Sequence, residues 1–195
     1  MGKEFELKYQ VSEAAFDAIR QQYGPFVSIE METTYYDTPQ GDFGARRWTL
    51  RRRYENGAAV CTLKTPAPGH ARNEWEVSAS SMEDAIGKLI TAGAPAELKT
   101  LAAGILIPLC GAQFTRLAAN VAADGCMLEL ALDRGVLTGA DRTLAFMEFE
   151  AELKSGSEAA AAAFAGRLAQ RFGLIPEPRS KHHRALLLTQ NDTDR

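Results

Sequence analysis

The chain has 195 residues, 46% of them hydrophobic and 24% charged, and carries a formal net charge of -3. That length suits one domain with a sizeable core, and the mildly acidic balance gives no global attraction to nucleic acid or to an anionic membrane. Any anion has to be gripped locally, and Cys61, Cys110 and Cys126, widely separated and outside metal-ligand spacing, point to small buried residues in a reducing, cytoplasmic setting. No apolar leader precedes Glu6 and Lys8. The longest apolar run, Leu101 to Ala112, is too short for a bilayer and contains Pro108, so no membrane partner is expected.

In chain order, Lys3 to Val11 alternates Glu4, Glu6 and Lys8 against Phe5, Leu7 and Tyr9, the period of a strand. Ser12 caps a helix to about Tyr23, which Gly24-Pro25 stops. Glu30 to Tyr36 reads as a strand, Asp37-Thr38-Pro39 with Gly41 as a turn, and Trp48 to Tyr54 and Ala58 to Thr65 as a hairpin about Asn56-Gly57. After a loop at Pro66, Pro68 and Gly69, Ala71 to Ala79 alternates Arg72, Glu74 and Glu76 against Asn73, Trp75 and Val77. Helices follow over Met82 to Ala92 and Pro95 to Ala103. Phe114 to Ala122, Cys126 to Asp133 and Thr143 to Lys154 are strands, Ser157 to Phe172 is the clearest helix, and Lys181 to Thr189 is a short last one.

Several strands are charged at every second position and apolar between, which an ordinary hydrophobic-in, polar-out sheet does not need. Glu148, Glu150 and Glu152 share one face of their strand, so successive carboxylates stand about 7 Å apart. A hard divalent cation such as Mg²⁺ or Mn²⁺ relieves that repulsion with oxygen ligands. Glu4 and Glu6 repeat the pattern, and Glu129 and Asp133 match its parity on a third strand. Arg51 and Arg53 alternate on one strand, Lys64 lies on the next, and Lys8 and Arg72 share faces with carboxylates; arginine forks and lysine charges suit phosphate. Each motif alone is equally at home on a solvated face or a protected sheet edge. Together they describe a polyphosphate site inside a barrel, with the apolar residues outside under helices. By parity Arg52 lies off the site. His70, His182 and His183 lack zinc spacing and read as surface or helix-end residues.

The ordered series Glu4-Phe5-Glu6-Leu7-Lys8, Tyr35-Tyr36-Asp37-Thr38-Pro39, Leu50-Arg51-Arg52-Arg53, Thr62-Leu63-Lys64, Arg72-Asn73-Glu74-Trp75-Glu76, Phe114-Thr115-Arg116, Glu129 to Asp133, Glu148 to Lys154 and Ser180-Lys181 resembles the CYTH or triphosphate tunnel metalloenzyme family over nearly the whole chain. The resemblance implies an α+β fold: a closed eight-stranded antiparallel barrel with helices packed outside, spanning residues 1–190, with 191–195 a flexible tail. It implies phosphate-gripping roles for Lys8, Arg51, Arg53, Lys64, Arg72, Arg116 and Lys181. Acidic tunnel positions fall on Glu4, Glu6, Glu129, Asp133, Glu148 and Glu150 as ligands for Mg²⁺ or Mn²⁺, with Glu4, Glu6, Lys8, Glu148 and Glu150 as the catalytic set. Glu74, Glu76 and Glu152 are further acidic candidates. The chain departs from the family at Leu117-Ala118-Ala119, where charges are frequent, and near Arg46-Arg47, where glycine is usual. The partner implied is a triphosphate-containing small molecule, with a homodimer as the candidate assembly. Gly69 to Val77 and Phe114-Thr115-Arg116 most resemble the bacterial inorganic triphosphatases, implying hydrolysis of tripolyphosphate to diphosphate and phosphate. Class IV adenylate cyclase, thiamine triphosphatase and a non-catalytic polyphosphate or nucleotide sensor stay open as alternatives.

Overall fold

The computed structural model describes residues 2–3, 5–67 and 72–190. Glu4, His70 and the expected tail at 191–195 lie outside the described residues. In chain order the elements are β1 (Gly2–Lys3), β2 (Glu6–Gln10), α1 (Glu13–Tyr23), β3 (Val27–Asp37), α2 (Asp42–Ala45), β4 (Thr49–Glu55), β5 (Ala58–Pro66), β6 (Arg72–Ser78), α3 (Met82–Thr91), α4 (Glu97–Leu101), β7 (Ile107–Ala123), β8 (Cys126–Gly139), β9 (Arg142–Ser155), α5 (Glu158–Phe172), β10 (Ile175–Pro176) and α6 (Lys181–Leu187).

Local chemistry accounts for the element ends. The Ser12, Ser81, Ser157 and Ser180 hydroxyls accept from the amides of Ala15, Asp84, Ala160 and His183, satisfying first-turn donors of α1, α3, α5 and α6. Gly173 ends α5 in the left-handed region at φ 64°. The sequence suggested only a turn after Asp37, but a helical turn, α2, forms there. The buried Asp37 carboxylate accepts from the amides of Thr38 (2.7 Å), Phe43 (2.9 Å) and Gly44 (2.9 Å) and so holds the turn together. The strand expected from Phe114 begins earlier, at Ile107, as β7, and β8 continues past Asp133 to Gly139.

All strand pairings are antiparallel, in the order β1-β6-β5-β4-β3-β7-β8-β9-β2-β10. This corrects the expectation of a closed eight-stranded barrel. Eight strands are long, but two further strands of two residues each stand at the ends of an open order. The reason is a divided first strand: Gly2 and Lys3 pair with Glu74 and Asn73 of β6, whereas Glu6 to Gln10 pair with Glu152 to Glu148 of β9. A ladder between β2 and β6 is therefore absent among the described residues. Lys3 and Glu6 are three peptide units apart, at most about 11 Å, so the same short run draws the two ends of the sheet together and the sheet curls around an interior.

Parity sorts the faces as the alternation implied. Tyr9, Leu128, Leu130, Leu132, Phe149 and Ala151 point outward and pack with Phe16, Ile19, Phe164 and Leu168 of α1 and α5. Leu50, Leu63 and Trp75 do the same against Leu89 and Leu98 of α3 and α4. The inner face is charged except at one end, where Met31, Tyr35, Ala112, Phe114, Leu137 and Phe146 pack with Ala185 of α6. The helix lies close to β8 at Gly139, where an added Cβ would stand 2.5 Å from the Ala185 carbonyl oxygen. Thus α6 plugs that end of the interior. No described helix is long and apolar enough to cross a membrane.

Candidate active site

The curled sheet and the start of α6 enclose a cavity of about 630 Å³ whose wall draws side chains from β2 through β9. Lys8, Arg51, Arg53, Lys64, Arg72, Arg116 and Lys181, the seven expected phosphate ligands, all line it. So do Glu6, Glu129 and Glu150 of the expected metal ligands. In all, eight cationic and seven anionic side chains face this space, so a bare polyanion would meet repulsion as well as attraction, whereas an anion carrying metal would match both.

The cationic wall is built on β4 to β6. Arg51 Nη2 lies 3.7 Å and Lys64 Nζ 3.2 Å from Glu74 carboxylate oxygens, and Arg53 Nη1 donates to Glu55 Oε1 at 3.2 Å. Arg72 Nη2 donates to the Arg47 carbonyl at 2.7 Å, tying its strand to the loop before β4. The Nε atoms of Arg51 and Arg53 are buried and have no hydrogen-bond partner. Burial first, then the neighbouring charges of Arg51 and Arg116, depresses the Arg53 pKa from its ordinary value. A wall whose cations are crowded and whose donors are unmet favours an incoming anion.

The opposite wall is acidic. Register places Glu6 of β2, Glu152 of β9 and Glu129 of β8 side by side in one row across three strands. Lys8 Nζ lies 3.3 Å from Glu6, and Lys154 Nζ stands 2.9 Å from Glu152 and 3.6 Å from Glu129. Burial opposes the Lys154 charge, but these two carboxylates outweigh it and raise its pKa.

Deeper, beneath α6, is an ion cluster. Arg116 makes a bidentate pair with Asp133 through Nε (2.8 Å) and Nη2 (2.7 Å) and also donates to Glu150. Lys181 Nζ lies 2.7 Å from Asp133, 2.5 Å from Glu148 and 2.7 Å from Glu150, and Arg184 donates to Glu148. Burial raises the Glu148 pKa to about 7 despite Lys181. Burial also works against the Glu150 charge, but Lys181 and Arg116 prevail and hold its pKa well below the usual carboxylate range. Asp133 and Glu148 are each 0% exposed and, contrary to expectation, stand behind the cavity wall. At their level α6 occupies the interior, so they face Lys181 and Arg184 instead of open space.

Sequence reasoning set His182 aside, yet it lines the cavity beside Lys181, its ring 4.7 Å from that of Tyr35. Burial, with Arg72 and His183 adding to it, lowers its pKa to about 4, so the ring is neutral near pH 7. Its place directly after Lys181 at a helix start was the available signal. Glu152, Glu74 and Glu76, the further acidic candidates, also line the wall, as do Lys154 and Glu55, which sequence reasoning had not placed there.

The donor chemistry fits a hard divalent cation. Asp133, Glu148 and Glu150 each offer an oxygen, all within 4.8 Å of one another, and the row of Glu6, Glu152 and Glu129 adds carboxylates on the cavity side. Glu4 falls outside the described residues.

The CYTH domain family model matches residues 2–178. The inorganic triphosphatase of Haemophilus influenzae is 27% identical over an alignment of 166 residues that covers 80% of this chain and 47% of that protein. The chain therefore spans about half the length of that curated relative. Among solved structures, a candidate adenylyl cyclase, HpAC1 from Hippeastrum, described with a dominant triphosphatase activity, superposes with a TM-score of 0.64 at 18% identity, covering 98% of this chain and 99% of its own. The PH1819 protein of Pyrococcus horikoshii gives a TM-score of 0.64 at 22% identity, covering 94% and 98%. These two likenesses show a shared fold.

Proposed function

The chain belongs to the CYTH domain family, and we propose that it hydrolyses a triphosphate with a divalent metal, inorganic tripolyphosphate to diphosphate and phosphate being the preferred reaction. One observation carries this reading: the cationic wall of Arg51, Arg53, Lys64 and Arg72 faces a carboxylate row across one cavity. The inorganic triphosphatase relative supports the choice of substrate.

In this mechanism Arg51, Arg53, Lys64 and Arg72 hold the phosphate oxygens and neutralise the charge that spreads as the terminal phosphoryl group transfers. Arg116 and Lys8 flank them from the neighbouring strands. Glu150, with Asp133 and Glu148 behind it and Glu6 and Glu129 beside it, would hold Mg²⁺ or Mn²⁺, which when bound polarises phosphoryl oxygen and acidifies water. A carboxylate of the Glu6, Glu152 and Glu129 row orients the attacking water and takes its proton. The bond from the terminal phosphorus to the bridging oxygen breaks, and that oxygen leaves on diphosphate. The plug formed by α6 closes one end against bulk water.

The test is incubation with tripolyphosphate, ATP and thiamine triphosphate under Mg²⁺, Mn²⁺ or EDTA, followed by separation of phosphate, diphosphate and cyclic AMP. Metal-dependent release of phosphate and diphosphate from tripolyphosphate, fastest among the three substrates, is expected. Diphosphate with cyclic AMP from ATP would mark a cyclase, and tight tripolyphosphate binding without products would mark a sensor.

A further inference from the structure

Lys181 occupies an unusual position for a residue expected to grip substrate. Its ammonium sits 2.5 to 2.7 Å from one oxygen of each of Asp133, Glu148 and Glu150, the three carboxylates whose oxygens lie within 4.8 Å of one another. It is held there as a small cation would be held, by a cage of oxygens. The cluster is balanced, three carboxylates against Lys181, Arg116 and Arg184. A divalent ion added with all three cations in place would leave a buried surplus of positive charge, which a low-dielectric interior resists strongly. Release of one cation halves that surplus, from two charges to one.

The geometry singles out which. Arg116 is fixed by a bidentate fork on Asp133 and a further bond to Glu150, and Arg184 lies on the buried side of α6 against Glu148. Lys181 instead stands at the first residue of α6, on a flexible four-carbon stem, and itself lines the cavity. Arg116 borders the same space, but its fork is pinned on Asp133 and Glu150, whereas the Lys181 ammonium can turn on its stem into the cavity, toward the cationic wall.

We propose that Lys181 is a resident counter-ion which holds the place of a divalent metal in the Asp133, Glu148 and Glu150 cage, yields those oxygens when metal binds, and turns into the cavity to meet phosphate. This deepens the reading of the chain as a metal-dependent phosphohydrolase and rests on it for the role of the released ammonium. By linkage, an anion in the cavity that stabilises the released ammonium also tightens metal binding.

The test uses Mn²⁺ alone, without substrate, with the free ion followed by electron paramagnetic resonance. Lys181→Met removes the competitor and is expected to bind Mn²⁺ about ten-fold tighter than the wild-type chain or better. Lys181→Arg keeps a cation in the cage and should bind no tighter than wild type. An affinity of Lys181→Met equal to or weaker than wild type overturns the proposal. Should Lys181→Met fail to fold, the wild-type chain carries the same test through peptide-resolved acetylation. Mn²⁺ should raise labelling of Lys181 several-fold relative to the exposed Lys88, and unchanged labelling overturns the exchange. Neither arm reads turnover. A chain that exchanges Lys181 for Mn²⁺ but leaves tripolyphosphate intact overturns the functional reading only. One that hydrolyses tripolyphosphate with no change of Mn²⁺ affinity in Lys181→Met overturns the exchange only.

Discussion

Replacing Arg53 by methionine should move activity and stability in opposite directions. The Arg53 side chain is 13% exposed, its Nε has no partner, and its guanidinium pairs with Glu55, itself 34% exposed. An ion pair of that kind contributes about 0–1 kcal/mol, so its loss costs little. Against this, methionine relieves burial of a charge that Arg51 and Arg116 repel. A net gain of about 1 kcal/mol follows, by analogy with other replacements of buried charge by apolar side chains of similar volume. In a chain of this size that is a rise in Tm of about 2–4 °C. Activity should fall, because two hydrogen bonds to a phosphate, each about 1.5–3 kcal/mol when charged, are lost. A combined loss of about 4 kcal/mol lowers kcat/KM about a thousand-fold. Melting curves by circular dichroism without phosphate, and initial rates of phosphate release from tripolyphosphate, measure the two halves. A kcat/KM within ten-fold of wild type, or an unliganded Tm several degrees below it, would refute the reasoning.

Three further outcomes are expected. Gly139→Ala brings a Cβ to 2.5 Å from the Ala185 carbonyl oxygen and 2.9 Å from Leu188 Cβ, so α6 must retreat. Urea denaturation should show a loss of about 1–3 kcal/mol, and KM for tripolyphosphate should rise as Lys181 withdraws; unchanged stability would contradict the close packing. Glu148→Gln replaces one acceptor oxygen by an amide facing Lys181 or Arg184 in a fully buried place, and should cost about 1–3 kcal/mol in the same assay, less at pH 6 than at pH 8 because burial already favours the neutral carboxyl. Its loss of turnover must therefore be measured at a temperature where both proteins are folded. For His182, the folded pKa of about 4 lies below the ordinary 6.5, so the unfolded chain takes up a proton that the folded one resists. Its contribution is present above pH 6.5 and is lost as pH falls toward 4. Glu148, raised from 4.5 to about 7, acts oppositely, losing its contribution as pH rises through that window. The difference between wild type and His182→Gln isolates the histidine: the variant should lose less stability between pH 7 and 4.5, and parallel curves would count against this assignment.

Six of the seven expected phosphate ligands stand on strands, where strict parity made an inward placement legible; Lys181, on α6, came only from the family resemblance. Once Arg51 and Arg53 face inward, hydrogen-bond register brings Lys64 and Arg72 to the same wall. The candidate metal ligands were legible in type but not in depth. Glu148, Glu150 and Glu152 are equivalent by period two, and only the docking of α6 buries the first, divides the second between cluster and cavity, and leaves the third on the wall. A hint lay in the same strands, where Leu137 and Phe146 replace acids at inward positions and so mark where an apolar plug must sit. Closure was not legible, because alternation reports which way side chains point and is silent on whether a strand keeps one neighbour along its length. Pairing of Gly2 and Lys3 with one strand and of Glu6 to Gln10 with another is a property of sheet curl. His182 was missed because it was weighed only as a metal ligand or as a surface or helix-end residue, not as part of a cavity wall.

The divided first strand also fixes an order of assembly. Glu6 finds its partner Glu152 across 146 residues, and Tyr9 finds Pro176 later still. During synthesis β2 emerges long before β9 and α5 and must wait, with Phe5, Leu7 and Tyr9 uncovered, until they exist to receive it. Contacts so distant in sequence are slow to form. The enclosed chamber is therefore completed at the end of folding, and before that step the basic and acidic walls are present on one chain without facing each other.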